Sequence, residues 1–441
     1  MRMSKVLSAI LAVGMVFSMV SCSSNTDSST NKANDTSTEA NNDSNTIRIG
    51  VLSPLTGNSA QLGTQVVEIY NMMTDIINEE HPELSMAMAA TAGIPSMNNA
   101  KIELVVADHK SDTTTAVSEA KRLITEQGVV AICGEFTSAQ IKAVAVVTEQ
   151  YKIPLLGSGS AVTLTDGSNN WDWFIRHGIS DATYIKDTFD YMVYLNENYD
   201  ADIQTVALVS EDGEFGANIY PLEEQMAEEY GFEIVENLKY SSGVTNLTSE
   251  VLKIKQADPD VILMASSVVS DALLFFSTCK EQQYTPNYVL GQRGAFIQSD
   301  FLEAMGDDVN YMCTSGSWAS DINKAPIQEL VELWATSEYN TTGVDLMDSH
   351  VKDAMLLQFL AMALDQAGTT EPEALREALL NPEYDMDTLL VEWEGIEFDD
   401  NGQNILSNGV ITQWVDGEYK TVYPAKGASV EPVFPMPEWN Y

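Results

Sequence analysis

The chain reads as an α/β protein with two doubly wound parallel-sheet lobes. Three observations predict this. Short β-branched runs alternate with stretches of helical period, the pattern of β-α-β units whose sheet is covered on both faces. That rhythm runs once up to Trp173 and then starts again. About 395 residues follow a polar N-terminal stretch, more than one ordinary core holds.

In the first unit, residues 47–52 (IRIGVL) are β-branched and apolar and form a strand, which a Ser-Pro-Leu-Thr-Gly turn ends. Residues 65–78 place Val66, Ile69, Tyr70, Met73 and Ile77 on one face of a helix. A strand over 102–107 follows, then a helix over 114–126 with Ala116, Ala120, Leu123 and Ile124 inward. A strand over 129–133, a helix over 139–150 and a strand over 153–156 complete the unit. The second unit repeats the order. Helices over 182–196, 219–230, 247–256 and 272–282 alternate with strands over 205–209, 234–237, 261–265 and 288–290. Ligands of such sheets sit beyond the carboxyl ends of the strands. The loops after Leu52, Cys133, Leu156, Val209, Ala265 and Leu290 are therefore the candidate contact segments. Residues 81–100 interrupt the rhythm with Met, Ala and Asn. Met86, Met88 and Met97 there form either a contact surface or, more economically, packing on the first lobe.

The N-terminus has its own signals. Arg2 and Lys5 precede an apolar run over residues 6–20, about 15 residues, which is short for a membrane span and suits a secretory signal peptide. The run ends in Met19-Val20-Ser21-Cys22, which resembles a bacterial lipobox with Met in place of the usual Leu. On that resemblance residues 1–21 are a lipoprotein signal peptide. Cys22 is then the lipidated first residue of a mature protein held at the extracytoplasmic face of the cell membrane. Residues 22–46 are Ser, Asn, Thr and Asp with almost nothing apolar, so they lack the surface to offset ordering entropy. They are expected to be a disordered tether with a reach of roughly 25–30 Å.

Composition narrows the function. The chain has 65 Asp and Glu against 22 Lys and Arg, a net charge of −43. Nucleic acid is excluded as a partner, because its binding rests on basic contacts to phosphate. Ligand charge is not constrained, since a local pocket can oppose the global field. Cys133, Cys279 and Cys313 are far apart and lack metal-ligand spacing; they read as buried thiols or as one disulfide and a thiol. The histidines (His81, His109, His177 and His350) are scattered, and no HExxH, GxSxG or P-loop pattern occurs. No metal, cofactor or enzymatic activity is expected.

The segment IRIGVLSPLTG at residues 47–57 resembles the opening of the branched-chain amino acid (leucine/isoleucine/valine) binding proteins of ABC importers, which have the class I periplasmic-binding fold. KIELVVAD (101–108), AKRLI (120–124), KIPLL (152–156), EDGEFG (211–216), ADPDVI (257–262), KDA (352–354) and FDDNG (398–402) follow in the family's order and spacing. The resemblance implies two lobes joined by three crossovers, near residues 174–178, 311–318 and 393–397. Residues 47–175 and 319–393 would form lobe 1, and residues 176–318 and 394–430 lobe 2. The turn at 399–402 would fall in lobe 2, and residues 431–441 would be a surface tail. The implied partners are a small-molecule ligand (an amino acid or organic acid) and ABC permease subunits, with the chain itself a monomer. A ligand-sensing receptor module of the same fold is the competing reading, since fold alone does not fix function.

The resemblance also implies a site. The loop GEFTSA (134–139) carries Thr137 and Ser138, and Ser138 matches a family serine that binds the ligand carboxylate; the alternative is that it caps the following helix. In GSGSAVT (157–163) the family's threonine position falls on Ala161, leaving Gly159 and Ser160 as the contacts. Phe215 stands where a tyrosine often packs over the ligand. Leu62 and Val268 replace aromatic residues. Arg293, in GQRG (291–294), stands where leucine-type members carry an acid for the ligand ammonium, and Lys352 is placed near the mouth. Two ligands remain open. One is an amino acid whose ammonium is taken by Glu135 or another acid. The other is a dicarboxylate, aromatic acid or other anion held partly by Arg293, unless Arg293 pairs with an acid of its own.

Overall fold

A computed structural model describes residues 45–441 apart from Asn58 and Phe136. The expected signal peptide, Cys22 and nearly all of the tether lie outside the described residues. The first sheet has β1 (Thr46–Ser53), β2 (Lys101–Asp108), β3 (Ile132–Glu135), β4 (Leu155–Gly157) and β5 (Phe174–Ile175), in the order β2-β1-β3-β4-β5 with every pairing parallel. Helix α1 (Ala60–Asn78) covers one face; α2 (Thr113–Arg122) and α3 (Ser138–Tyr151) cover the other. The helix expected over 114–126 is α2 continued by a π-helical turn, Leu123–Gln127. Asp112 starts α2 by accepting the Thr115 N–H at 2.7 Å.

The chain then passes through residues 176–180 into a second layer system. It holds α4 (Asp181–Tyr199), β6 (Thr205–Glu211), α5 (Glu214–Tyr230), β7 (Glu233–Tyr240), α6 (Thr248–Ala257), β8 (Val261–Ala265), α7 (Val269–Glu281), β9 (Val289–Gly291), α8 (Ser299–Met305) and β10 (Cys313–Gly316). Helix α5 starts at Glu214, five residues before the expected start, and carries Pro221 inside it. Residues 317–324 return the chain to the first lobe, where α9 (Ala325–Thr336), α10 (Asp348–Ala367) and α11 (Pro372–Leu380) join α1 in one core. Residues 394–409 lead back to β11 (Val410–Val415) and β12 (Glu418–Tyr423). The second sheet has the order β12-β11-β10-β9-β8-β6-β7. It is not wholly parallel as expected: β11 runs antiparallel to β10, and a tight turn at Asp416 and Gly417 makes β12 antiparallel to β11 in turn.

Two local expectations change. The 399–402 turn lies against the first lobe: Gly402 O accepts the Arg176 N–H at 2.8 Å. A Cβ on Gly402, at φ +75°, would come within 2.6 Å of Phe174 O, so only glycine permits this approach. The last eleven residues are no surface tail. Met436 and Trp439 are buried in the second core, and the Trp439 indole donates to Asp308 O at 3.0 Å, because an aromatic and a thioether gain more from burial than from water. Residues 81–100 pack on the first lobe, the more economical of the two readings, with Met86 in the first core and Met88 and Met97 against it. Cys133, Cys279 and Cys313 are buried and unpaired.

Candidate ligand-binding site

A cavity of about 570 Å³ opens between the lobes. Its walls come partly from strand-end loops, where the doubly wound pattern places ligands, and partly from α1, α10 and β10. Leu62 and Val66 of α1 line it, with Ser158 and Ser160 after β4 and Trp318 in the second crossing. From the other lobe come Phe215 in the first turn of α5, Arg293 and Ile297 after β9, and Thr314 to Gly316 of β10. Met347, Asp348, Lys352 and Asp353 at the start of α10 supply the remaining charged wall.

The loop carrying Ser158 and Ser160 is held from behind. Arg176, in the first crossing, is 1% exposed. Its Nη1 donates to Gly159 O at 3.0 Å and Ala161 O at 2.9 Å, and its other nitrogens reach Gln403 and Thr165. Burial pulls its guanidinium down to about 10, still charged at neutral pH. One buried cation thus ties the loop to two of the three crossings. Ser160 O accepts the Asp181 N–H of the other lobe at 2.8 Å. Gly159 packs so closely that a Cβ there would lie 2.7 Å from Ile141 Cδ1.

Five of the sequence-derived residues are therefore placed apart from the cavity wall. Thr137 caps α3, accepting the Gln140 N–H at 3.4 Å, and Ser138 Oγ accepts the Ala161 N–H at 3.3 Å, so its hydroxyl serves the loop. Gly159 and Ala161 offer their carbonyls to Arg176. Val268 caps α7, and its carbonyl accepts the Ser266 hydroxyl at 3.2 Å. Leu62, Ser160, Phe215 and Arg293 are on the wall.

Arg293 is committed to its own lobe. Its Nη2 donates to Asp181 Oδ1 at 3.0 Å, and its guanidinium carbon lies 3.5 Å from the centre of the Tyr184 ring. Burial opposes its charge, but Tyr184, Asp181 and Asp348 outweigh that and hold it above the ordinary range. Its backbone has φ +52° and ψ −120°, a region L-residues avoid. Lys352 mirrors it from the first lobe, 2.7 Å from Asp348 and 5.8 Å from the same Tyr184 ring. Burial opposes that charge too, and Asp348 and Tyr184 override it, raising the lysine.

Glu135 is not an open acid. It is wholly buried on β3, absent from the cavity wall, and 3.6 Å from His109 Nε2. Burial, and then the charge of Asp353, push it up to about 8, while burial lowers His109; the pair is neutral at pH 7 rather than an ion pair. Two acids do reach the cavity: Asp348, which pairs with Lys352, and Asp353, which sequence reasoning did not single out beyond the KDA segment. Helical period predicts that α10 is buried, but not which turn faces the cleft. Among the described residues no cluster of His, Cys, Asp and Glu could hold a metal, and no helix is long and apolar enough to cross a membrane.

Two α/β lobes, three crossings and a cavity between them define a two-lobed small-molecule-binding protein. The chain belongs to the periplasmic binding protein family, whose model matches residues 46–418. It is 27% identical over 393 residues to a Leu/Ile/Val-binding protein homolog of Brucella abortus, covering 87% of this chain and 93% of that one. In fold it is similar to a putative branched-chain amino acid ABC transporter protein from Silicibacter pomeroyi (TM-score 0.73, 16% identity, 88% of this chain and 99% of that one). It is also similar to an ABC transporter substrate-binding protein from Desulfitobacterium hafniense in complex with Leu (TM-score 0.66, 18% identity, 85% and 99%).

Proposed function

We propose that the chain is the extracytoplasmic solute-binding subunit of an ABC importer, held to the membrane by a lipid on Cys22. It captures an amino acid or related small carboxylate between its lobes and delivers it to permease subunits. The observation that carries this reading is the interlobe cavity of about 570 Å³, within the roughly 300–1,000 Å³ usual for small ligands. Apolar walls (Leu62, Val66, Phe215, Trp318) lie beside charges of both signs (Arg293, Lys352, Asp348, Asp353), which suits a ligand with an apolar body and a polar head. Closure about residues 176–180, 317–324 and 394–409 would exclude water from that head and strengthen its polar contacts. Ser160, Phe215, Arg293 and Leu62 are the direct contacts in this reading; Thr137, Ser138, Gly159, Ala161 and Val268 support them. The names of the Brucella relatives and the Leu complex of the Desulfitobacterium protein favour an amino acid. No bond is made or broken, so the ligand leaves unchanged.

The test is isothermal titration of the protein against a panel of amino acids, dicarboxylates and aromatic acids, followed by chromatography of the recovered ligand. Saturable binding of at least one member, recovered intact, is expected. Absence of heat with the whole panel, together with no small molecule released on denaturation, would sink the proposal. Replacing Cys22 by Ser should release the protein from the membrane fraction; continued sedimentation with membranes would refute the lipid anchor.

A further inference from the structure

Asp353 lies on the floor of the cavity with 1% of its surface exposed. The one hydrogen bond its carboxylate accepts among the described residues comes from Tyr70 Oη, at 3.3 Å to Oδ1. A carboxylate this deep needs more donors than that to stay ionised. Beyond that phenol, the titratable groups around it supply none. Tyr70 of α1 and Cys133 of β3 are a neutral phenol and a neutral thiol that burial pushes up, and Glu135 of β3 is a second buried acid. His109 faces Glu135, 3.6 Å away. On α10 itself, Lys352 is engaged by Asp348 at 2.7 Å. The cavity therefore has an under-compensated acid on its first-lobe floor and a guanidinium, Arg293, on its second-lobe wall.

We propose that Asp353 receives a cationic nitrogen of the ligand, so that the site selects a zwitterion, with its ammonium toward Asp353 on lobe 1 and its carboxylate toward Arg293 on lobe 2. The inference rests on the reading of the cleft as a small-carboxylate site and names the class of ligand it takes. It also predicts a proton movement. Burial raises Asp353 to about 7, against the opposing pull of Tyr70 and Lys352, so near neutrality much of the unliganded protein carries a proton there. The ammonium replaces that proton as the hydrogen-bond donor; the O–H bond breaks, the proton passes to buffer, and the ammonium keeps its own three. Capture should therefore release most of a proton at pH 6 and essentially none at pH 9.

The experiment pairs amino acids with the acids that lack only the amine: L-leucine with 4-methylpentanoate, and L-phenylalanine with 3-phenylpropanoate. Each is titrated into wild type and Asp353→Asn at pH 6 in two buffers of different ionisation enthalpy. In wild type at least one amino acid should bind more tightly than its amine-less partner, with a buffer-dependent heat. In Asp353→Asn that preference should shrink by about 10- to 100-fold, the loss of one charge-assisted hydrogen bond, with the acid little affected and the buffer dependence gone. An unchanged preference in the variant overturns the assignment. So does equal binding of amino acid and acid by wild type, which leaves small-carboxylate capture standing. Failure of both series and of dicarboxylates to bind wild type overturns both readings. The proton count in wild type tests the assignment without the variant.

Discussion

Arg293 joins two costs that substitution can separate. Its side chain holds Asp181 at 3.0 Å and stacks on Tyr184, and its backbone sits at φ +52°. Arg293→Ala removes the pair and strands a carboxylate that is 9% exposed. Breaking a buried pair costs about 3–5 kcal/mol, toward the low end here because Arg293 is 15% exposed and water can follow it. The lost stacking adds about 1 kcal/mol. Arg293→Gly loses the same contacts but relieves the positive φ, worth about 1–3 kcal/mol, and gives back up to about 1 kcal/mol because glycine frees the unfolded chain. The glycine variant should therefore be about 1 kcal/mol more stable than the alanine variant, and both less stable than wild type. Urea unfolding followed by tryptophan fluorescence reads the two midpoints at equal slope. A glycine variant equal to or weaker than the alanine variant would refute the strain argument. An alanine variant within 1 kcal/mol of wild type would refute the pairing argument.

Two further outcomes follow from buried charge. Burial raises Asp187 and Asp353 to about 7 and Glu135 and Glu223 to about 8, whereas unfolded carboxyls ionise near 4. Between those values the folded state binds more protons than the unfolded chain, so stability falls as pH rises, by at most about 1.4 kcal/mol per pH unit per group. The ligand-free protein should have a higher urea midpoint at pH 5 than at pH 8.5, and Glu223→Gln should flatten the trend; a midpoint that rises with pH contradicts it. Arg176→Leu should cost more than about 3 kcal/mol, since it leaves the Gly159 and Ala161 carbonyls, Thr165 and Gln403 without their buried donor. Arg176→Lys should recover only part of that, because one ammonium cannot reach the four acceptors that a planar fork does. Equal stability of the lysine variant and wild type, measured by thermal unfolding, would argue against the clamp.

The elements were legible where period and punctuation agree. Residues 261–265, apolar throughout, are a central strand of the second sheet, and Val66, Ile69, Tyr70, Met73 and Ile77 do line the buried face of α1. The start of α5 was not legible, because the glycine-rich EDGEFG segment (211–216) reads as a loop although the helix begins at Glu214 and runs through Gly216. The docking of Met436 and Trp439 was hidden for a similar reason: three nearby prolines signal a loop, and a loop can still carry side chains into a core. In the site, the segments after Leu156, Val209 and Leu290 reach the cavity as expected, whereas those after Cys133 and Ala265 do not line it. Thr137 and Ser138 have the right chemistry for a carboxylate and spend it on a helix cap and a neighbouring loop.

From the sequence alone come the two-lobe α/β architecture, the absence of catalytic motifs, the acidic composition and some of the loops that face the cleft. These depend on short-range pattern, which side-chain period and turn chemistry encode residue by residue. Tertiary structure decided the partners of the charges. Arg293 finds Asp181 across 112 positions and Arg176 finds Gln403 across 227. Asp353 gains a cavity on one side and Tyr70, 283 positions away, on the other. Coulomb interaction and desolvation depend on distance and burial, and neither is written in the spacing of residues along the chain.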